Sequence, residues 1–233
     1  MKAGFRDITA VTATCNTRDL IERMYKAFRE FHPDIKMIIL DNSDKDHKCQ
    51  EYLNSINSYK TTIYRFNKNH GHARAVNYGL NKVTTGLALL MDSDTVMLKS
   101  PLCGMLKLMD NDSYGVGWIT EIGRDGYDFG TWKSQKVPIK YLHPYFCLLN
   151  MNEFRKYPPL VHHGNPFVQT MIRLHDLGLS DKLVSFPGLT GHTNGKGSNW
   201  TGTSSEYVQH DFGGTRSELR KNGREEIEGC WEY

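Results

Sequence analysis

The sequence has no apolar run approaching about 18 residues, the length a membrane-spanning helix needs. Its first residues, Met1 to Asp7, lack the apolar core of a signal peptide. Its five cysteines, Cys15, Cys49, Cys103, Cys147 and Cys230, are odd in number and widely scattered. That spacing excludes a zinc pattern and a disulfide framework, and it sets a reducing, cytoplasmic location as the expectation. There is no dense basic run, and the net charge over 233 residues is only +3. An anionic substrate is allowed, but nucleic-acid binding as the sole function is disfavoured. Internal repeats and low-complexity tracts are also missing.

What is present is a soluble globular composition, 39% hydrophobic and 24% charged, long enough to bury a full core. The chain is organised around Leu87-Ala88-Leu89-Leu90-Met91-Asp92-Ser93-Asp94. An unbroken apolar run of this length reads as a strand buried on both faces, hence part of a parallel sheet. Ligands bind beyond the carboxyl ends of such strands. Asp92 and Asp94, two apart, point the same way in extended chain and repel unless a cation or a donor-rich ligand lies between them. Oxygen ligands suit Mg2+ or Mn2+. The competing reading is a strand-to-helix turn capped by Ser93 or Asp94.

Before this strand, apolar runs at 8–13, 35–40 and 61–66 alternate with helical patterns from about Asp19, over about 46–56 and over 73–83. This alternation predicts an α/β fold with a parallel, doubly wound sheet. Three polar clusters, Thr14–Asn16, Asp41–Asp44 and Asp92–Asp94, fall at strand carboxyl ends. Turn chemistry explains each singly, but less well their gathering on one edge. Beyond residue 100 the pattern is less regular. It has a short helix at 102–109, strands at 114–122, 145–149 and 182–186, and helices at 152–157 and 167–177. A Gly- and aromatic-rich loop covers 123–135, and the last 30 residues read as a loosely held arm.

Four motifs then match a known family in order. Ala13-Thr14-Cys15-Asn16 resembles "P-T-Y-N", and Leu40-Asp41-Asn42-Ser43 resembles "D-D-G-S". Asn69 to Gly79 follows "N-x-G-x-A-x-A-x-N-x-G" almost position for position, and Asp92-Ser93-Asp94 is "D-x-D". The chain thus resembles the GT-A fold nucleotide-sugar glycosyltransferases, closest to the inverting family 2. The match is good over 8–98 and only in outline over 140–198. The resemblance implies a single GT-A, Rossmann-like domain over 1–233: a nucleotide-sugar half at 1–100, a smaller mixed acceptor half at 101–200 and a C-terminal arm at 201–233. It implies a UDP-sugar donor and a divalent cation, Mn2+ or Mg2+.

The resemblance also assigns roles. Asp41 would accept the N3–H of uracil, as a carboxylate can; the alternative is a turn or cap residue. Ala13 and Thr14 would line base and ribose. Arg74, early on a helix entered through Gly71, would reach uracil or diphosphate, or else be a solvent-facing charge. Asp92 and Ser93 would face the nucleotide, Asp92 and Asp94 the metal. His192, before the Gly-rich Gly195-Lys196-Gly197-Ser198, would complete the metal shell, and Lys196 would reach the diphosphate; a surface His and a surface Lys are the alternatives.

The chain departs from the family at the acidic pair before the helix ending in "R-x-x-x-x-G". Arg173 and Gly178 supply that ending, but the position of the pair falls on Asn165-Pro166. Asn cannot take a proton near neutral pH. His162 or His163 could, as could Asp128, Asp125 or Glu121 on the preceding segment; or the enzyme retains anomeric configuration. A sugar nucleotidyltransferase is an alternative, but Ala13 to Asp19 lacks the glycine-rich loop of that class. A non-catalytic sugar- or nucleotide-binding module is another. The acceptor is open among a glycan, a protein and a modified DNA base. Trp118, Tyr127, Phe129, Trp132 and Trp200 offer stacking surfaces for sugar or base, or serve packing.

Overall fold

The computed structural model describes residues 4–126, 137–161, 164–189 and 203–211. Its first half follows the predicted alternation. Strand β1 (Ile8–Thr14) is buried along its whole length. Helix α1 (Arg18–Phe31) buries Leu20, Ile21, Met24 and Phe28 on one stripe, while Arg18, Glu22 and Lys26 pair at i,i+4 spacing on the other. Then follow β2 (Lys36–Asp41), α2 (Lys48–Ile56), β3 (Thr61–Arg65), α3 (His72–Lys82) and β4 (Leu87–Met91). The ring Nδ1 of His47 caps α2 by accepting the Cys49 N–H. Gly71 enters α3 at φ 85°, a conformation that glycine adopts without a Cβ penalty.

All five side chains of β4 are buried. At about 1.5–3 kcal/mol for each large apolar side chain, this burial makes β4 an anchor of the sheet. The remaining elements are β5 (Thr95–Met97), α4 (Leu102–Leu108), β6 (Gly115–Gly123), β7 (Pro138–Asn150), α5 (Met151–Phe154), α6 (Val168–Asp176), β8 (Leu183–Ser185), β9 (Thr203–Ser204) and β10 (Val208–His210). The main sheet runs β3-β2-β1-β4-β7-β6-β8. Pairs β3–β2, β2–β1, β1–β4 and β6–β8 are parallel; β4–β7 and β6–β7 are antiparallel. One face packs a core that includes Val76, Leu80 and Leu174 from α3 and α6, the other a core that includes Met24, Leu53 and Met105 from α1, α2 and α4. The α/β expectation of a mostly parallel sheet flanked by helices holds.

The structure differs from the sequence pattern in three places. The central strand ends at Met91 rather than Asp94, because Asp92 turns the chain and its carbonyl accepts the Thr95 N–H. Strand β7 begins at Pro138, well before the expected 145. Its prolines fit because Pro138 is the first residue and Pro144 lies in an irregular stretch of the ladder. Finally, part of the predicted C-terminal arm is not loose. Strand β10 pairs antiparallel with β5 and β9, forming a second, three-stranded sheet.

Candidate metal and nucleotide site

The three polar clusters meet at the carboxyl edge of β1, β2 and β4. Thr14 and Asp41 are register partners, and the Asn42 N–H donates to the Thr14 carbonyl at 2.8 Å. Asn16, at φ 56°, ties the two loops together. Its N–H donates to Ser43 Oγ at 2.9 Å, its amide donates to Asp44 at 3.0 Å, and its Oδ1 accepts the Asp44 N–H at 3.1 Å. The Asn42 amide donates to the Gly71 carbonyl at 3.2 Å, joining this edge to the start of α3.

Asp41 has no solvent-exposed surface. Its Oδ1 accepts the Ser43 N–H at 3.0 Å, and its Oδ2 accepts from Arg65 Nε at 3.1 Å. Arg65 goes on to donate to Asn54. Both carboxylate oxygens of Asp41, the residue expected to read the base, thus tie the end of β2 to Ser43 and Arg65. Ala13 and Thr14 are also buried, with the Thr14 hydroxyl 3.0 Å from that of Thr17. Arg74 is exposed on the first turn of α3, and Ser93 is buried between the two acids.

Asp92 and Asp94 converge with a residue that the sequence pattern does not single out, His210. One ligand atom from each lies within 4.8 Å of the others. His210 Nε2 is 3.2 Å from Asp94 Oδ1 and 3.5 Å from Asp92 Oδ2. The ring is only 3% exposed and stacks on Tyr145, with centroids 4.8 Å apart and planes 5° apart. The Tyr145 carbonyl in turn accepts the Asp92 N–H at 2.9 Å. His72, the first residue of α3, brings Nε2 to 3.8 Å from Asp92 Oδ1. That Oδ1 is buried and accepts no hydrogen bond among the described residues.

Electrostatics tightens the cluster. Burial pushes the Asp92 carboxyl above the usual carboxylate range, opposed by His72 and His210 and reinforced by Asp94. For His210, burial favours the neutral ring, but the Asp94 hydrogen bond and the charges of Asp94, Asp92 and Asp211 outweigh it and raise its pKa. Two carboxylates and one imidazole, with an orphaned buried oxygen among them, form a donor set that fits a divalent cation of Mn2+ type.

Strand β10 is held where the ring is needed. Its last residue pairs with Thr95, and the Asp211 N–H donates to the Asp94 carbonyl at 3.0 Å. Arg23 of α1 grips the Asp211 carboxylate at 2.9 Å. The only local trace of this in sequence is the short run Val208-Gln209-His210, which carries little signal without its partner strand.

The other expected residues are elsewhere. His192, Lys196, His162, His163 and Asp128 lie outside the described residues, as do Tyr127, Phe129, Trp132 and Trp200. Glu121 is exposed on β6, in register with Lys140. Asp125 sits in the turn after β6, and Asn165 donates its amide to the Gly126 carbonyl at 2.7 Å. Among the described residues, no helix is long and apolar enough to cross a membrane.

Residues 9–173 match the family model "Glycosyl transferase family 2". His210 lies beyond that match. No curated protein matches the sequence. Among solved structures, the chain is similar to the mannosyltransferase PcManGT from Pyrobaculum calidifontis in complex with GDP-Man and Mn2+. The TM-score is 0.59 at 14% identity, over 78% of this chain and 55% of that one. It is also similar to S. aureus TarS 1–349 in complex with UDP-GlcNAc, with a TM-score of 0.53 at 12% identity, over 84% of this chain and 62% of that one. The chain spans less than two thirds of either neighbour, and at these identities the likeness shows the shared GT-A fold.

Proposed function

From a chain that belongs to glycosyl transferase family 2, we propose transfer of a sugar from a UDP-sugar donor to an acceptor hydroxyl or amine, with Mn2+ as the cofactor. The carrying observation is the convergence of Asp92, Asp94 and His210 at the carboxyl end of β4. Asp94 and His210 would hold the cation, with the Asp92 carboxylate beside them; its Oδ1 accepts no hydrogen bond among the described residues. When bound, the cation supplies positive charge against the diphosphate leaving group. Imidazole in the set favours Mn2+ over Mg2+. His192, before the Gly-rich loop, and Lys196 would be the sequence-based candidates for a further metal ligand and a diphosphate contact.

Arg74, exposed on the first turn of α3, and the N-terminus of that helix would meet the phosphates with a guanidinium and free N–H groups. Ala13, Thr14 and Ser93 border the nucleoside, and Asp41 supports that border through Ser43 and Arg65. The choice of uridine rests on the four motif matches. Fold neighbours carry either GDP-Man or UDP-GlcNAc in their complexes. For the acceptor proton, His162, His163 and Asp128 are the candidate bases, because the Asn165 amide at the family's acidic position takes no proton near neutral pH and donates to the Gly126 carbonyl.

Calorimetry with UDP, GDP and CDP, each with and without MnCl2, tests the reading. UDP should bind only with Mn2+, and a folded His210→Ala protein should lose at least tenfold in Mn2+-dependent affinity. Binding that ignores Mn2+, or an unchanged His210→Ala protein, overturns the metal site. Tighter binding of GDP overturns the uridine donor.

A further inference from the structure

His72 reaches the metal cluster but does nothing for the helix that carries it. It is the first residue of α3, and the loop before it fixes its backbone. The Gly71 N–H donates to Asn69 Oδ1 at 2.8 Å, and the Gly71 carbonyl accepts the Asn42 amide at 3.2 Å. The side chain is 42% exposed, so packing leaves the ring free to turn. Histidine is a middling helix former, and a positive charge at a helix N-terminus opposes the dipole. Its one polar partner among the described residues is Asp92, with Nε2 3.8 Å from Oδ1. That oxygen is the buried one that accepts no hydrogen bond.

Asp92 therefore stands between two imidazoles. Its Oδ2 is 3.5 Å from His210 Nε2, and Asp94 Oδ1 is 3.2 Å from the same nitrogen. A tetrahedral ion with bonds of about 2.0–2.2 Å holds its ligand atoms about 3.3–3.6 Å apart. The three separations straddle that spacing. His72 is not one of the three residues whose ligand atoms all lie within 4.8 Å of one another. A turn of its exposed ring about the side-chain bonds is what the fourth contact requires.

Two imidazoles and two carboxylates make a complete tetrahedral set. Such a set suits Zn2+, whereas Mn2+ prefers six oxygen-rich positions. With the same ligands Zn2+ also binds more tightly than Mn2+. A catalytic metal keeps one position open for substrate; a four-ligand site does not. In the reading above, the diphosphate meets the cation from the start of α3. His72 comes from that same side, so its nitrogen takes the place of a phosphate oxygen.

Resting on the metal site proposed above, we propose that His72 is a fourth ligand that closes the donor-free cluster around Zn2+, and that this closed form and the UDP complex exclude one another. Zn2+ then competes with the nucleotide, and donor affinity falls as free Zn2+ rises.

The test uses the full chain without nucleotide, with Zn2+, Co2+ and Mn2+ as probes. Competition with a chromophoric chelator reads Zn2+ affinity. Co2+ reports geometry, because tetrahedral Co2+ absorbs visible light far more strongly than octahedral Co2+. Wild type should bind Zn2+ at least about a hundredfold tighter than Mn2+ and give the strong tetrahedral Co2+ bands. His72→Ala should lose about tenfold or more in Zn2+ affinity, together with those bands, while Mn2+ affinity changes about threefold or less. In calorimetry of UDP with MnCl2, one equivalent of Zn2+ should weaken UDP binding about tenfold in wild type and about threefold or less in His72→Ala. Circular dichroism verifies folding; if His72→Ala does not fold, His72→Gln replaces it. Equal Zn2+ affinity in the two proteins, an octahedral Co2+ spectrum in wild type, or UDP binding that Zn2+ leaves unchanged overturns the proposal. Any of these with intact Mn2+-dependent UDP binding leaves the donor reading standing. Binding of neither Zn2+ nor Mn2+ overturns this proposal and the metal site beneath it.

Discussion

The ring of Tyr145 lies flat against that of His210, with centroids 4.8 Å apart and planes 5° apart. Tyr145 also accepts the Asp92 N–H on its carbonyl. One residue of β7 therefore fixes the aim of the imidazole and the turn that carries the first acid. Removing the ring should free His210 to rotate while leaving the backbone contact. Stacked pairs are worth about 0.5–1.5 kcal/mol beyond their buried area. We expect Tyr145→Ala to weaken Mn2+ binding about three- to tenfold and Tyr145→Phe to preserve it. Mn2+ titration followed by electron paramagnetic resonance reads this directly; equal affinities would remove Tyr145 from the site's support.

Arg23 and Asp211 join α1 to the end of β10 at 2.9 Å, with side chains 50% and 31% exposed. A pair this exposed contributes at most about 1 kcal/mol and is screened by salt. Arg23→Ala should raise the Mn2+ concentration for half-activation about two- to fivefold at low salt, and the difference should shrink near 1 M NaCl. The exchange Arg23→Asp with Asp211→Arg should restore part of the loss. A salt-independent defect would point to packing rather than charge.

Asp41 is fully buried between the Ser43 N–H and Arg65. Asp41→Ala strips the acceptor from both. Leaving such donors unmatched costs about 1–3 kcal/mol, so the urea midpoint should fall accordingly, with the slope unchanged. An unaltered midpoint would contradict the bracing role.

Glu153 sets a pH dependence. It is buried, and burial alone would raise its pKa. Hydrogen bonds from Lys156 at 2.5 Å and Lys182 at 2.8 Å outweigh this and hold it below the ordinary value of 4.5. A carboxylate whose folded pKa is depressed stabilises the fold fully above its unfolded pKa, and that contribution is lost as pH falls through the folded value. Glu153→Gln should therefore cost about 1–2 kcal/mol near pH 7, and the gap to wild type should close below about pH 4.5. Thermal melts at several pH values check it; a constant gap would assign the effect to packing.

Gly79 of α3 is pressed against the sheet. A Cβ there would meet Leu40 Cδ2 at 2.5 Å and Val11 Cγ1 at 2.9 Å. Helix propensity alone would make Gly79→Ala stabilising by about 0.5–1 kcal/mol. The core is too dense for that gain, and overpacking should leave a net loss of about 1–3 kcal/mol. A variant more stable than wild type would show that α3 can shift away from β1 and β2.

Local pattern is enough for much of this protein. The apolar runs of β1, β2 and β4, the amphipathic stripe of α1 and the glycine entry to α3 are short-range signals, because burial and backbone freedom act within a few residues. Those signals alone put Thr14, Asp41 and Asp92 at strand carboxyl ends, and so on one edge of a parallel sheet. Tertiary structure decided what those residues touch. Asp41 lost its surface because Arg65, on the neighbouring strand, turned toward it. Trp118 and Tyr145 met because the β6–β7 ladder skips its register. His210 reached Asp94 only through pairing of β10 with β5, a contact between distant parts of the chain. Strand pairing of that kind depends on which edge is left open once everything else has packed, and no window of sequence around Val208-Gln209-His210 carries that information.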